Sequence, residues 1–301
     1  MLRFRALSYD LYFLATPRPE QEEFVAHFKM RPFYSIESPS QSQAAYANED
    51  TGVYFSFDFS SAEEESEDDP DDPASDAWAS FNINYYRPHY FADEAVPELE
   101  AFVARFNRRV FDPQRDGMGE GDFSAEVFRR GWNRVNEIAY RSMPSSGMPA
   151  PITRPASTLE RIWRWNIERS RFQEQVGDAV FVPRISFFRS AERVFSASVW
   201  TDAIPAVLPE TEMVIIYRDR LAAGLFRQAP TIALASWEHV ASRLAGRRRD
   251  DTPLPHHYLD DAEPSTELVR WIKKLPVAPP LERVAMDQVL DAEIVNSGKT
   301  S

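Results

Sequence analysis

The chain has 301 residues, of which 43% are apolar and 13% aromatic, so it can form two packed domains and is not a disordered protein. It contains no cysteine, which excludes disulfides, thiolate nucleophiles and cysteine-ligated metals. The formal charge is −13 and the basic residues form no continuous patch, which disfavours nucleic acid as a partner. No apolar run approaches the ~20 residues of a membrane span, and we expect a cytoplasmic protein that needs no cofactor.

Hydrophobic periodicity in the first hundred residues predicts an α+β fold. Strands are predicted at 9–15, 33–37, 43–48, 53–59 and 78–86, with a short strand at 109–111. Helices are predicted after Pro19 and after Asp93, and the second carries an apolar stripe with Phe102 at its centre. We expect 53–59 and 78–86 to pair as a hairpin. Two helices on an antiparallel sheet form a two-layer sandwich, and the ferredoxin-like fold is one example.

An acidic segment interrupts this hairpin. Residues 61–76 read SAEEESEDDPDDPASD, with nine acids and no base, and they account for most of the net charge. Such a segment buries too little apolar surface to offset the entropy of ordering, so we predict a solvated loop. Its acids could steer a basic protein partner, and five of them are the candidate contacts: Glu63, Glu64, Glu65, Asp68 and Asp69.

A turn-rich stretch, DPQRDGMGEGD at 112–122, predicts a boundary between domains 1–115 and 116–301. Its glycines lack the spacing of a dinucleotide-binding loop, and a flexible turn is the simpler interpretation. The second domain is predicted to begin with helices at 123–141 and after the capping box Ser157–Glu160. A β-rich block and a proline-rich C-terminal region follow.

Three groups of polar residues are candidate sites. Asn82, Asn84 and Tyr86 share one face of the strand at 78–86, where they suit either a binding surface or an ordinary solvated face. Glu49, Asp50 and Asp202 could serve acid–base chemistry, although turn and strand-end roles explain them equally well. The run HHYLDD at 256–261 lacks metal-ligand spacing and predicts a solvated loop, so no metal site is assigned.

Two segments resemble known sequences: YANEDTGVYFSFDF at 46–59 and WTDAIPAVLPETEMVIIYR at 200–218. They are similar to stretches of uncharacterised bacterial proteins encoded beside secreted antibacterial toxins. Such neighbours are commonly immunity proteins, which bind a toxin and block its active site. The resemblance implies this role but no site residues.

The sequence therefore predicts a non-catalytic protein-binding role, plausible for an immunity factor that neutralises a basic toxin domain. The alternative is a carboxylate-based hydrolase whose active-site residues, Glu49, Asp50 or Asp202, are dispersed along the chain. A metal site among the loop acids is a weaker option, because flexible acids bind Ca²⁺ poorly.

Overall fold

A computed structural model describes residues 8–14, 17–37, 40–60, 73–106, 109–114, 117–142, 151–191, 193–221, 232–244, 246–250, 254–261 and 263–297. The elements up to residue 154 are β1 (Ser8–Leu14), α1 (Gln21–Lys29), β2 (Tyr34–Ile36), β3 (Gln43–Asn48), β4 (Val53–Phe59), β5 (Ala77–Asn84), α2 (Tyr90–Phe106), β6 (Arg109–Asp112), β7 (Gly119–Gly121), α3 (Ala125–Ser142) and β8 (Ile152–Arg154).

The next elements are α4 (Ala156–Val176), β9 (Ile185–Ser190), β10 (Arg193–Thr201), β11 (Ala206–Pro209), β12 (Met213–Tyr217), β13 (Ile232–Ser236), α5 (Trp237–Arg243), β14 (Arg248–Arg249), β15 (His256–Leu259), α6 (Thr266–Lys274) and β16 (Glu282–Val284). The chain continues with β17 (Val289–Asp291) and α7 (Ala292–Ser297). Short 3₁₀ turns occur at Pro73–Asp76 and Met286–Gln288. In the described residues the fold is therefore α+β, as predicted.

The chain forms two compact units. Unit one is Met1–Ala156 together with Asp287–Ser301, and unit two is Ser157–Met286. The division therefore differs from the predicted boundary at residue 115, because α3 packs against the first sheet through Phe128, whose ring contacts Tyr9 and Phe81.

The turn at 112–122 lies inside unit one. The buried Asp112 carboxylate accepts hydrogen bonds from the Tyr9 hydroxyl at 2.5 Å and from the Gln114 and Met118 amides. Burial raises the pKa of Asp112, and these hydrogen bonds partly oppose that rise. A side chain at Gly117 would clash with this carboxylate, so the glycine serves close packing and not merely flexibility.

Unit one contains a seven-stranded sheet in the order β2-β3-β4-β5-β1-β6-β7. Its pairings are antiparallel, and Ser56 of β4 lies opposite Asn82 of β5, which confirms the predicted hairpin. The elements β1, α1, β4, β5, α2 and β6 follow the β-α-β-β-α-β order found in ferredoxin-like folds, and β2, β3 and β7 extend the sheet. A separate parallel pair joins β8 to β17.

The core of unit one lies between the sheet and its three helices. Phe28 of α1 and Phe102 of α2 both contact Phe57 of β4, and α3 contacts the same sheet face through Phe128. The helix α2 begins at Tyr90, so Asp93 lies in its first turn and is not the expected cap.

Trp78 is the exception to the predicted alternation in β5. The register of β1 against β5 shifts at this point, so Leu14 lies opposite Ala77 and Phe13 lies opposite Ala79. This irregularity turns Trp78 toward the helices, where its ring stacks on Phe102 at 5.5 Å. Trp78 is therefore a core residue and does not share the strand face of Asn82 and Asn84.

Unit two contains a five-stranded sheet in the order β13-β12-β10-β9-β16 and a three-stranded sheet in the order β11-β15-β14. An apolar cluster that includes Trp200, Val214 and Ile272 packs α5 and α6 on the larger sheet. Buried Arg218 donates to the carbonyls of Ile272 and Leu275 and holds the C-terminal end of α6.

The prediction of a solvated loop at 256–261 is wrong for its first four residues. They form β15, the central strand of the smaller sheet, and both histidines are buried. His256 contacts Trp165 and Phe172, whereas the His257 ring contacts Trp237, so the two imidazoles face different neighbours. Burial lowers the pKa of His257. None of the helices in the described ranges combines the length and the apolar character that crossing a bilayer requires.

Candidate functional site

The sheet of unit one has a polar face, on the side opposite to its apolar core. Among the side chains that strand alternation places on this face, nine of β1, β3, β4 and β5 are larger than alanine, polar or aromatic, and partly exposed to solvent. We call these residues the polar face: Asp10, Tyr12, Gln43, Tyr54, Ser56, Asp58, Ser80, Asn82 and Asn84. Two of them are carboxylates. The same side of the sheet also carries the Arg109–Glu120 ion pair at 2.8 Å, and the Arg87 guanidinium lies 5.3 Å from the centroid of the Tyr54 ring.

Asp10 of β1 lies opposite Asn82 of β5. Its Oδ1 accepts a hydrogen bond from Asn82 Nδ2 at 2.5 Å, and its Oδ2 accepts one from the Ser8 hydroxyl at 3.2 Å. These two donors orient the carboxylate.

Asp58 of β4 is held in the same way. Its Oδ1 accepts from Gln43 Nε2 at 2.6 Å and its Oδ2 accepts from the Ser56 hydroxyl at 3.0 Å. Asp58 lies opposite Ser80 of β5. Asp10 lies opposite Asn82, two residues further along β5, on the strand that pairs with its other edge. From strand geometry the two carboxyl-bearing residues are roughly 12 Å apart. The face thus presents two fixed negative charges at a defined spacing.

Of the three residues that the sequence predicted to share one strand face, the structure places two on the polar face. Asn82 and Asn84 belong to it, but Tyr86 does not. Tyr86 has a φ of 59°, donates its amide to Asn136 Oδ1 at 2.7 Å and packs its ring against Tyr140. The chain leaves the strand at Asn84, and the left-handed backbone at Tyr86 directs this side chain toward α3.

The five predicted contacts of the acidic segment, Glu63, Glu64, Glu65, Asp68 and Asp69, lie outside the described residues. The segment connects β4 to β5 through the short turn at Pro73–Asp76. It therefore joins the strand that carries Asp58 to the strand that carries Asn82.

The alternative acid–base residues lie in two turns, one in each unit. Glu49 and Asp50 occupy the turn between β3 and β4, where the Asp50 amide bonds to Asn48 Oδ1. Asp202 belongs to unit two, has a φ of 49° and accepts hydrogen bonds from the amides of Arg220 and Leu221. These contacts are typical of turn-stabilising residues.

A buried carboxylate in α2 supports the sheet from its apolar side. Glu94 is 2% exposed, and its Oε1 accepts hydrogen bonds from Tyr46, Asn48 and Thr51 at 2.8–2.9 Å. The nearby Glu94 charge adds to burial in raising the pKa of Tyr46. This arrangement ties α2 to the β3–β4 turn.

A second site in unit one is a cavity of about 630 Å³. Asp291, which is 1% exposed, accepts hydrogen bonds from both the amide and Nδ1 of His89, at 2.8 Å and 2.5 Å. The cavity is lined by His89, Arg130, Asn133, Arg134, Glu137, Ala156, Asp291, Glu293 and Ile294.

The sequence reasoning missed the most important members of both sites. Asp10 interrupts an otherwise apolar strand pattern, and alternation with Leu11 and Tyr9 could have placed it on the polar face. The pairing of His89 with Asp291 joins residues 202 positions apart, and no local pattern signals it.

Comparisons of the chain with protein-family models, with curated proteins and with solved structures found no match.

Proposed function

We propose that this chain is a protein-binding protein whose polar face receives a basic partner. The observation that carries the proposal is the pair of preorganised carboxylates, Asp10 and Asp58, each fixed by an amide and a hydroxyl donor. Groups already held in position lose little conformational freedom on binding, so their hydrogen bonds contribute more to affinity. Arginine is the matching group, because its planar fork bonds a carboxylate through two donors.

The acidic segment supports the same partner chemistry. Eight acids lie between residues 61 and 72, in the connection between β4 and β5. Dense negative charge attracts a basic protein from a distance and accelerates encounter, whereas Asp10 and Asp58 would form the final contacts.

The resemblance to proteins encoded beside secreted toxins makes an immunity factor the specific form of this proposal. Such a protein acts in the cytoplasm of the bacterium that makes the toxin, and it neutralises the toxin by occupying its active site. A nuclease, or another toxin with a basic substrate-binding surface, offers the required arginines and lysines.

The test begins with the gene neighbourhood, and a secreted toxin domain encoded there is the partner to use. Its affinity for the chain is measured by biolayer interferometry, and its activity is measured with and without the chain. We expect inhibition by the wild-type chain and at least a tenfold loss of affinity in the Asp10→Asn/Asp58→Asn double variant. These substitutions keep the side-chain size, remove the charge and replace one acceptor oxygen of each carboxylate with an amide donor.

The matched control is Asp122→Asn, which removes one exposed acid of unit one outside the polar face. This variant should bind within a factor of two of the wild type. Equal binding by the double variant and the wild type would exclude the polar face as the interface. If the wild-type chain neither bound nor inhibited the neighbouring toxin, the immunity role would be wrong.

A further inference from the structure

The cavity beside His89 has features of a small-molecule site that the proposed protein-binding role does not use. Its volume of about 630 Å³ lies in the range of pockets that hold drug-sized ligands, ~300–1,000 Å³. It is formed by unit one alone, from the start of α2, from α3 and from the β17–α7 segment. None of its lining residues belongs to the polar face.

One wall of the cavity is built around a fixed imidazole. Both oxygens of Asp291 bond to His89, so backbone and ring are held by the same carboxylate. Asp291 itself lies on β17, which pairs in parallel with β8. The lining therefore rests on regular elements and is positioned before any ligand enters.

Helix α3 contributes two arginines to the lining, Arg130 and Arg134, and Arg130 is exposed to solvent. Arg134 pairs with Glu137 at 2.7 Å, and Arg129 pairs with Asp93 at 2.7 Å. Arg130 lies between these two arginines in the sequence and also lines the cavity. It makes no ion pair with any residue in the described part of the chain. A carboxylate or phosphate is the natural complement of such a guanidinium.

Hydrogen-bonding groups that suit hydroxyls lie beside Arg130. Asn133 Oδ1 is buried and has no hydrogen-bond donor within the described ranges. A hydroxyl satisfies either end of an amide, because it both donates and accepts. Glu137, which pairs with Arg134, and Glu293, which accepts a hydrogen bond from the Ala156 amide at 2.9 Å, add carboxylates to the lining.

We propose that this cavity binds a polyhydroxylated carboxylate of the size of a sugar acid. Its carboxylate pairs with Arg130, and its hydroxyls bond to Asn133 and to the glutamates of the lining. A neutral sugar would gain no ion pair with Arg130, and an apolar carboxylate would gain no hydrogen bond to Asn133 Oδ1.

The experiment is isothermal titration calorimetry of the full chain with three probes of similar size. D-Glucuronate carries both the carboxylate and the hydroxyls, D-glucose lacks the carboxylate, and cyclohexanecarboxylate lacks the hydroxyls. We expect glucuronate to bind at least tenfold more tightly than either of the others.

Two variants locate the binding. Arg130→Gln and Asn133→Ala should each weaken glucuronate binding at least tenfold. Arg161→Gln, an exposed arginine of α4 that is not part of the lining, should change it less than twofold. Thermal melts of all variants verify that each is folded.

Absence of glucuronate binding at millimolar concentration would overturn the proposal. It would also be overturned if the three probes bound equally, or if Arg130→Gln bound like the wild type. These outcomes leave the protein-binding role intact, because the test of that role depends on Asp10 and Asp58 and not on the cavity.

Discussion

Truncation of Phe102 tests the packing of α2 on the sheet, on which the polar face depends. Phe102 is 0% exposed at the centre of the helix stripe. Its ring centroid lies within 6.3 Å of seven other aromatic rings, those of Phe13, Phe24, His27, Phe28, Phe57, Trp78 and Phe106.

The magnitude follows from two contributions. Burial of a phenylalanine ring is worth about 2–3 kcal/mol of transfer free energy. If neighbours close half of the roughly 100 Å³ that Phe102→Ala vacates, the remaining cavity costs about 1 kcal/mol more at ~24 cal/mol per Å³. We therefore expect unit one to lose about 3–4 kcal/mol of unfolding free energy, a large part of the stability of a typical domain.

The assay is urea unfolding followed by hydrogen exchange in peptides of β1 and β5, with peptides of unit two as an internal reference. Glu100→Ala is the control, since Glu100 is exposed and should change stability by less than about 0.5 kcal/mol. Glu98 is unsuitable, because it pairs with Arg31 at 2.8 Å. A loss below about 1 kcal/mol for Phe102→Ala would refute the packing argument.

Three other variants test separate features of unit one. Replacing residues 63–72 with a short Gly/Ser linker removes like charges, so the thermal midpoint in calorimetry should stay unchanged or rise slightly. The same replacement should slow association with a basic partner and make the association rate less dependent on salt. Asn136→Leu should cost about 2–4 kcal/mol in urea melts, because the Tyr86 amide and the Arg87 carbonyl each lose a hydrogen bond of 2.7 Å. Burial, reinforced by nearby arginines, lowers the pKa of His27 to about 4. The stability that depends on neutral His27 is therefore complete above pH 6.5 and falls as the pH drops from 6.5 toward 4, so His27→Phe should show a shallower loss than the wild type over this range.

The strands of the first sheet were predictable because apolar and polar residues alternate along them, and the apolar side faces the core. The predicted strand at 53–59 has the same bounds in the structure. Alternation could not reveal the irregularity at Trp78, since a bulge changes the face without changing the residue pattern. The polar face was likewise predictable only in part: Asn82 and Asn84 lie on it, but its carboxylates come from two other strands.

The remaining differences arise from contacts between distant parts of the chain. Glycines and charges at 112–122 look like a linker, yet Asp112 organises this stretch as a turn inside unit one. Prolines and acids around 256–259 suggested a solvated loop, and pairing with β11 and β14 made it a buried strand. Local composition reveals neither the hydrogen-bond partners of Asp112 nor the strands that pair with β15.

The return of β17 and α7 to unit one has a consequence for how the protein is made. Unit two is inserted between β8 and β17, two strands that pair with each other. While a ribosome is still producing unit two, the nascent first unit lacks Asp291 and therefore the carboxylate that holds His89. Premature termination after residue 286 would thus destabilise the unit that is synthesised first, because the strand that carries Asp291 would be missing from it.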